Sequence, residues 1–321
     1  MRWLAGFAAA LALCACAPSN AAPEPPVPVA VTAKPVGQWL AGSEPPVSVG
    51  TFLYAGGLEL SAAKPAHFGG LSDLDIQPDG RLLAVSDEGQ LVRGAIVLDA
   101  KGRLTGAQDF TSVMLGNLTG GQVSGAKRDS DSESLALWPN GDLMIGFEDD
   151  HRIWLYPAGG GAPHAIPKPD TAFSVNDGME AIALDPTTGR DAYLVGREDT
   201  RETWTCRLTV ATCAPRFVAG KAEYGKLVSA RPLPGGRWAL LFRDFSPLAG
   251  VTTHLQVAEH DGTEVDVLTI ARPATVDNFE GVSALPRPDG SVRFYLISDD
   301  NFASNQRTLL LAFDWRPKSG R

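Results

Sequence analysis

The sequence predicts an all-β protein built as a β-propeller of five or six blades, and three observations favour this fold class. Short apolar runs bounded by Gly, Pro, Asp or Asn dominate the chain, and no long amphipathic helical pattern occurs. One motif repeats five times: a strand leads through a proline and a glycine-containing turn into a second short strand that ends in charged residues. The repeats lie 46 to 61 residues apart, near the ~40–50 residues of a four-stranded blade.

The two ends of the chain are predicted to close the ring. The last repeat has three strands before Trp315, and the strand near 52–60 belongs to no repeat, so we expect this N-terminal strand to complete the final blade. The segment 109–131 is rich in Gly and Ser and predicts an insertion that overhangs one face. A degenerate blade formed by part of this insertion, or by region 41–70, gives the six-blade alternative.

One position of the repeat is acidic in three repeats of five. The residues six places before Pro78, Pro139, Pro186, Pro232 and Pro286 are Ser72, Glu133, Glu180, Lys226 and Glu280. Equivalent positions of a propeller surround its axis, so we predict that the three glutamates converge at one channel mouth and bind a divalent cation, with Ca²⁺ as the first choice. Carboxylates at close range repel and need such a cation, a lysine or raised pKa values. The alternative interpretation is that these acids cap strand ends.

The second strand of each repeat ends in a further set of candidate residues. We predict catalytic roles for Glu148, Glu198, Asp299, Arg197 and Arg243, with Asn301 beside them. A planar guanidinium suits a phosphate or carboxylate ligand, although arginine–carboxylate pairs that hold neighbouring blades together are an equal alternative. One of Asp73 and Asp75 is expected to face the axis.

No nucleophile stands out among the remaining residues. A G-x-S-x-G motif is absent from the sequence, and the five histidines share no repeat position and no metal-ligand spacing. A hydrolase with this sequence is therefore predicted to use water activated by a metal ion.

The N-terminus predicts export and lipidation. An apolar stretch from Trp3 precedes Leu13-Cys14-Ala15-Cys16, which is similar to the lipobox of bacterial lipoproteins and is too short to span a bilayer. We predict a signal peptide over 1–16 that ends at a lipidated Cys16, a Pro/Ala-rich tether over 17–46, a propeller domain over 47–316 and a tail over 317–321. A plain signal peptide cleaved near Ala21-Ala22 is the alternative.

Composition sets the expected environment and partners. The net charge is −9 and the chain has no basic run, which argues against a nucleic-acid partner. Cys206 and Cys213 lie seven residues apart, a spacing that a hairpin brings to disulfide distance in an oxidising compartment. We expect a monomer in the bacterial cell envelope, anchored by its lipid and facing the periplasm from the outer membrane.

Several motifs together resemble one known family. The segments GGLSDLD, SESLALWPNGDL, NDGMEAIAL, NFEGVS and SDDNF are similar to the phytase-like proteins described by esterase-like activity of phytase, over about residues 50–315. The resemblance implies an exported propeller that hydrolyses ester or phosphoester bonds of a small molecule. The repeat glutamates also resemble those of gluconolactonase-type propellers, which implies a divalent cation in the channel. A non-catalytic propeller that binds a cation or small ligand, and a lactonase, are the alternative functions.

Overall fold

The computed structural model describes residues 25–43, 46–63, 68–175 and 177–317. Cys16, the predicted signal segment and most of the predicted tail lie outside these residues. The described chain starts with β1 (Val27–Pro28), β2 (Val31–Pro35), β3 (Ser48–Val49) and β4 (Phe52–Ala62). Within the described residues, no helix is long and apolar enough to cross a bilayer.

The described strands form five four-stranded antiparallel blades, which confirms the predicted propeller. Blade one contains β5 (Leu71–Ile76), β6 (Arg81–Ser86), β7 (Gln90–Leu98) and β8 (Leu104–Met114). Blade two contains β9 (Ser132–Leu137), β10 (Leu143–Phe147), β11 (Arg152–Tyr156) and β12 (His164–Ala165). Blade three contains β13 (Ala181–Leu184), β14 (Ala192–Gly196), β15 (Glu202–Arg207) and β16 (Val210–Val218). Blade four contains β17 (Lys226–Pro232), β18 (Trp238–Ser246), β19 (Gly250–Ala258) and β20 (Glu264–Ile270).

The fifth blade joins the two ends of the chain as predicted. It contains β21 (Phe279–Pro286), β22 (Val292–Ser298) and β23 (Thr308–Trp315), and β4 is its fourth strand, paired with β23. The helical elements are short: α1 (Lys127–Ser130) and 3₁₀ turns at Ala222–Tyr224 and Pro234–Gly236. The first strand of each blade contacts the first strand of the next, from β5 through β9, β13, β17 and β21 back to β5. These five strands therefore surround the axis.

Blades five and one also meet at their outer strands. A parallel bridge joins Gly56 of β4 to Leu104 of β8. Gly56 has a φ of 110°, and a Cβ there would lie 2.3 Å from the Leu104 carbonyl oxygen. Only glycine allows this approach of the two backbones.

The N-terminal segment departs from the predicted tether. Strand β1 pairs with β8 and β2 pairs with β4, so the described part of 17–46 lies on the propeller. Prolines are tolerated in these strands because both are short and lie at edges. Val29, Val31 and Ala33 pack against the apolar core between blades five and one, and Trp39 is 3% exposed and stacks on Tyr54. The Pro-rich segment is extended as its composition predicts, but burial of its apolar side chains holds it on the propeller instead of leaving it as a free tether.

Cys206 and Cys213 form the predicted disulfide, across strands β15 and β16 of blade three.

Candidate active site

The site begins at a β-bulge in the axial strands. Ser72, Glu133 and Glu280 are each the extra residue where the pairing register shifts between the first and second strands of a blade. A bulge turns its residue out of the regular alternation of the strand, which here aims the side chain at the axis. Glu180 directly precedes β13 at the corresponding place in blade three.

Blade four differs from its predicted alignment. Its bulged residue is Val228, six places before Pro234, so the proline that marks the repeat is Pro234 and not Pro232. Val228 is fully buried in the apolar core. Lys226 lies two residues before the bulge, at the start of β17, and reaches the channel from there.

A second ring lies where each second strand ends. In four blades this position is an acid whose backbone N–H donates a hydrogen bond to the chain just before the first strand of the same blade. The acceptor is the backbone carbonyl of the residue two places before the bulge position. The four acids are Asp87, Glu148, Glu198 and Asp299. Arg243 pairs with Lys226 at the same place in blade four. The ring therefore comprises four carboxylates and one guanidinium.

The two rings line one small cavity at the axis, with a volume of about 190 Å³. Its lining residues are Asp87, Lys127, Glu133, Glu148, Glu180, Glu198, Lys226, Arg243, Glu280, Asp299 and Asn301. The structure thus brings the three predicted metal ligands together with four of the five predicted catalytic residues.

Arg197 does not line this cavity. Its guanidinium binds the Asp199 carboxylate at 2.5 and 3.0 Å and donates to the Ala172 carbonyl. Arg197 precedes the ring residue Glu198 by one position, whereas Arg243 occupies the ring itself. The two arginines are therefore not equivalent, and the alternation of side chains along a strand sends Arg197 away from the axis.

The cavity cations are already engaged by acids. Lys226 Nζ lies 3.0 Å from Glu198 Oε2 and 2.9 Å from Asp177 Oδ1. Arg243 Nη1 lies 2.5 Å from Glu280 Oε1 and also donates to Asn278 Oδ1. The negative charge of Glu198 is therefore balanced by Lys226, and that of Glu280 by Arg243.

Glu148 and Glu180 lack such a cationic partner. Glu148 Oε1 accepts a hydrogen bond from the Gly178 N–H at 3.1 Å. No hydrogen bond from a described residue reaches the Glu180 carboxylate, which is 6% exposed. Two groups of three carboxylates each bring one oxygen per residue within 4.8 Å of the other two. The first group is Glu148, Glu180 and Glu198, and the second is Asp131, Glu133 and Glu148.

Burial and mutual repulsion raise the carboxyl pKa values. Burial, reinforced by Asp131 and Glu198, raises the pKa of Glu148 to about 7. Burial also raises the pKa of Asp87 to about 7 and, together with the charge of Glu280, that of Asp299 to about 8. Burial and neighbouring glutamates hold the pKa of Glu133 and of Glu180 well above the usual range.

We therefore expect the metal-free protein to be less stable near pH 8 than near pH 5. A carboxyl whose pKa is raised by folding contributes stability below its unfolded pKa, and this contribution is lost as the pH rises through the folded value, here between about 4 and 8. One unit of pKa shift is worth about 1.4 kcal/mol, so several such groups should lower the Tm by roughly 5 °C or more. Calorimetric melting in chelator across this range tests the expectation, and a Tm that is flat or rises would contradict it.

Three residues of the site were not predicted. Asp87 ends the second strand of its repeat, as the predicted acids do, so the repeat alone carried a signal for it. Lys127 and Asp131 come from the predicted insertion, and Lys127 Nζ lies 2.9 Å from Asp131 Oδ1. Asp131 lies two residues before Glu133, at the position that Lys226 occupies in blade four, whereas no repeat position marks Lys127.

Asp73 is the aspartate that faces the axis. It is fully buried and binds Arg231 Nη2 at 2.8 Å, the Leu135 N–H and the Ser229 hydroxyl. Asp75 lies at the edge of a different cavity. The Asp73–Arg231 pair joins blades one and four across the channel.

One family of known proteins matches most of this chain. A family model described as phytase-like, esterase-like activity of phytase, matches residues 66–302. A search of curated protein sequences finds no significant match.

Several solved structures share the general shape at low similarity. A gluconolactonase from Xanthomonas campestris is 12% identical, with a TM-score of 0.46 over 91% of this chain and 98% of that one. The major allergen of Malassezia sympodialis is 12% identical, with a TM-score of 0.45 over 84% and 92% of the two chains. The calcium-binding protein regucalcin from Agrobacterium tumefaciens is 16% identical, with a TM-score of 0.40 over 84% and 88%.

Proposed function

This chain belongs to the phytase-like family described by esterase-like activity of phytase, and from that premise we propose that it hydrolyses ester or phosphoester bonds in its axial cavity with the help of a divalent cation. The observation that carries the proposal is the group formed by Glu148, Glu180 and Glu198. These three buried carboxylates place ligand oxygens within 4.8 Å of one another beside Lys226 and Arg243.

The donor set fits a hard cation. The described lining residues offer carboxylate and amide oxygens and no histidine or cysteine, which suits Ca²⁺ or Mg²⁺ rather than zinc. Ca²⁺ takes oxygens at about 2.3–2.6 Å, so two ligands on opposite sides of it lie roughly 5 Å apart. The spacing of the three glutamates is compatible with that geometry.

The ligand assignment refines the one predicted from the repeat. Glu180 is common to both, and Glu133 belongs to the adjacent group with Asp131 and Glu148. Glu280 belongs to neither ligand group, and its Oε1 lies 2.5 Å from Arg243 Nη1, so we assign it the role of holding that guanidinium in place.

The bound ion would polarise the substrate carbonyl or phosphoryl oxygen and increase the acidity of water in the cavity. The chain itself supplies proton transfer and charge stabilisation. Asp299, with a pKa near 8, exchanges a proton close to neutral pH, and the Asn301 N–H fixes its carboxylate by a 2.6 Å hydrogen bond to Oδ1. Arg243, oriented by Glu280 and Asn278, donates to an oxygen that gains negative charge.

A hydrolysis screen tests this proposal. Purified protein is assayed on p-nitrophenyl acetate, p-nitrophenyl phosphate and gluconolactone, with Ca²⁺, Mg²⁺ or chelator. We expect turnover that requires the cation and that falls by about 10²-fold or more in Asp299→Asn, because proton transfer by a positioned side chain is worth that much. Asp170→Asn, at an exposed position outside the cavity, is the matched control and should retain full activity.

A non-catalytic cation-binding role is the second candidate, and the size of the cavity favours it. A volume of about 190 Å³ is below the ~300–1,000 Å³ of typical ligand sites, so only the reacting group of a substrate could enter. Cation binding without turnover on any ester, phosphoester or lactone would decide for this candidate. Anchoring of the protein through Cys16 stays a prediction.

A further inference from the structure

The two groups of candidate ligands share one residue. Glu148 belongs both to the group with Glu180 and Glu198 and to the group with Asp131 and Glu133. A carboxylate has two oxygens and can bridge two ions, and paired sites with ions about 3.5–4 Å apart are common in hydrolytic enzymes. The five side chains thus form two ligand groups joined at Glu148.

We propose that the axial cavity binds two divalent cations bridged by Glu148, one held with Glu180 and Glu198 and the other with Asp131 and Glu133. This inference rests on the proposed function, which requires only the first ion. The second site joins a residue supplied by the insertion, Asp131, to a residue of the repeat, Glu133.

An unpartnered buried atom points independently to the second ion. Asp131 is fully buried, and its Oδ1 accepts from Lys127 Nζ, but its Oδ2 has no hydrogen-bond partner among the described residues. A buried carboxylate oxygen without a donor costs free energy that a cation would recover. The Glu133 carboxyl lies beside Asp131, and when both groups are ionised neither can donate a hydrogen bond to the other.

The formal charge of the cavity also favours two divalent cations over one. Together with Asp131, the lining contains eight carboxylates against three cationic side chains, a formal charge of −5 when all are ionised. One divalent cation leaves −3 in a buried space, whereas two leave −1. Burying uncompensated charge is unfavourable, so the second ion is expected to bind despite the first.

Lys127 is the internal competitor for the second site. Its ammonium neutralises part of Asp131, yet its side chain is 64% exposed. The Lys127 side chain can move into solvent, but Asp131 is fully buried and needs a replacement positive charge when it does. The second ion would supply that charge in place of the ammonium.

Counting bound ions tests the proposal. The purified protein is stripped with chelator, dialysed against Ca²⁺ and measured by elemental analysis and titration calorimetry, and we expect two ions per chain. Asp131→Asn should bind one, Glu148→Gln should lose both sites, and the exposed control Asp170→Asn should bind two. If Asp131→Asn does not fold by circular dichroism, Glu133→Gln tests the same site.

Each remaining outcome has a definite meaning. One ion in the unaltered protein overturns the paired site and leaves the proposed function intact, whereas no ion overturns both. Two ions retained in both Asp131→Asn and Glu133→Gln also overturn the assignment. Mn²⁺ loading supplies a second readout: electron paramagnetic resonance should show a spin-coupled pair, and two isolated Mn²⁺ signals would place the second ion elsewhere.

Discussion

Replacing Glu180 with glutamine is expected to remove most of the stabilisation that Ca²⁺ gives to this protein. An ion that binds only the folded state at about 100 times its dissociation constant stabilises it by ~2.7 kcal/mol, which corresponds to a Tm increase of roughly 5–10 °C. Glu180 is buried, and no described hydrogen-bond donor or cation contacts its carboxylate. The amide keeps the shape of the side chain but not the charge that binds the ion.

The same substitution should act in the opposite direction without metal. Nearby Glu198, Glu280 and Glu148 repel the Glu180 carboxylate, so its removal should leave the metal-free Tm at pH 8 equal to or above that of the unaltered protein. Glu223→Gln, an identical change at an exposed position, should alter neither quantity. An undiminished calcium shift in Glu180→Gln would show that Glu180 is not a ligand of the stabilising ion, and the absence of a calcium shift in the unaltered protein would favour acids that cap strand ends.

Replacing Arg231 with methionine is expected to destabilise the propeller by about 3–5 kcal/mol, because it leaves the Asp73 carboxylate buried without its counter-ion. Arg231 also donates to the carbonyls of Ala230 and Leu74, so its loss frees two further buried acceptors. Burial already raises the pKa of Asp73 to about 6. The loss should be larger near pH 8 than near pH 5, because a protonated Asp73 needs no cation.

Denaturant unfolding at both pH values measures this effect. The double variant Asp73→Asn/Arg231→Met should be more stable than the sum of the single variants predicts, since removing both charges leaves neither unpaired. Arg81→Met removes a pair in which both side chains are more than half exposed and should leave stability unchanged. Additive single effects would show that the Asp73–Arg231 pair does not couple blades one and four.

The repeat pattern was sufficient to predict the class of fold and most of the residues that line the cavity. Glu133, Glu180 and Glu280 occupy one structural position because each blade has the same strand, turn and strand, and a proline six residues away marks that position in sequence. The same rule failed in blade four because RPLPGG contains two prolines, and only strand pairing distinguishes Pro234 from Pro232.

Sequence by itself determined the all-β class and the disulfide, because each depends on local periodicity or short separation along the chain. It also determined the closure of the last blade by the strand near 52–60, because the last repeat is one strand short. Only the tertiary structure decided which charges meet. Lys127 reaches the cavity from an insertion, and Asp131 meets Glu133 and Glu148 beside it. Arg231 crosses the axis to Asp73 over 158 residues, and Arg197 turns away beside a residue that lines the site. The Pro-rich segment expected to be a tether pairs with β4 and β8 for the same reason. Long-range burial and charge pairing, rather than local preference, set the free energy of these contacts.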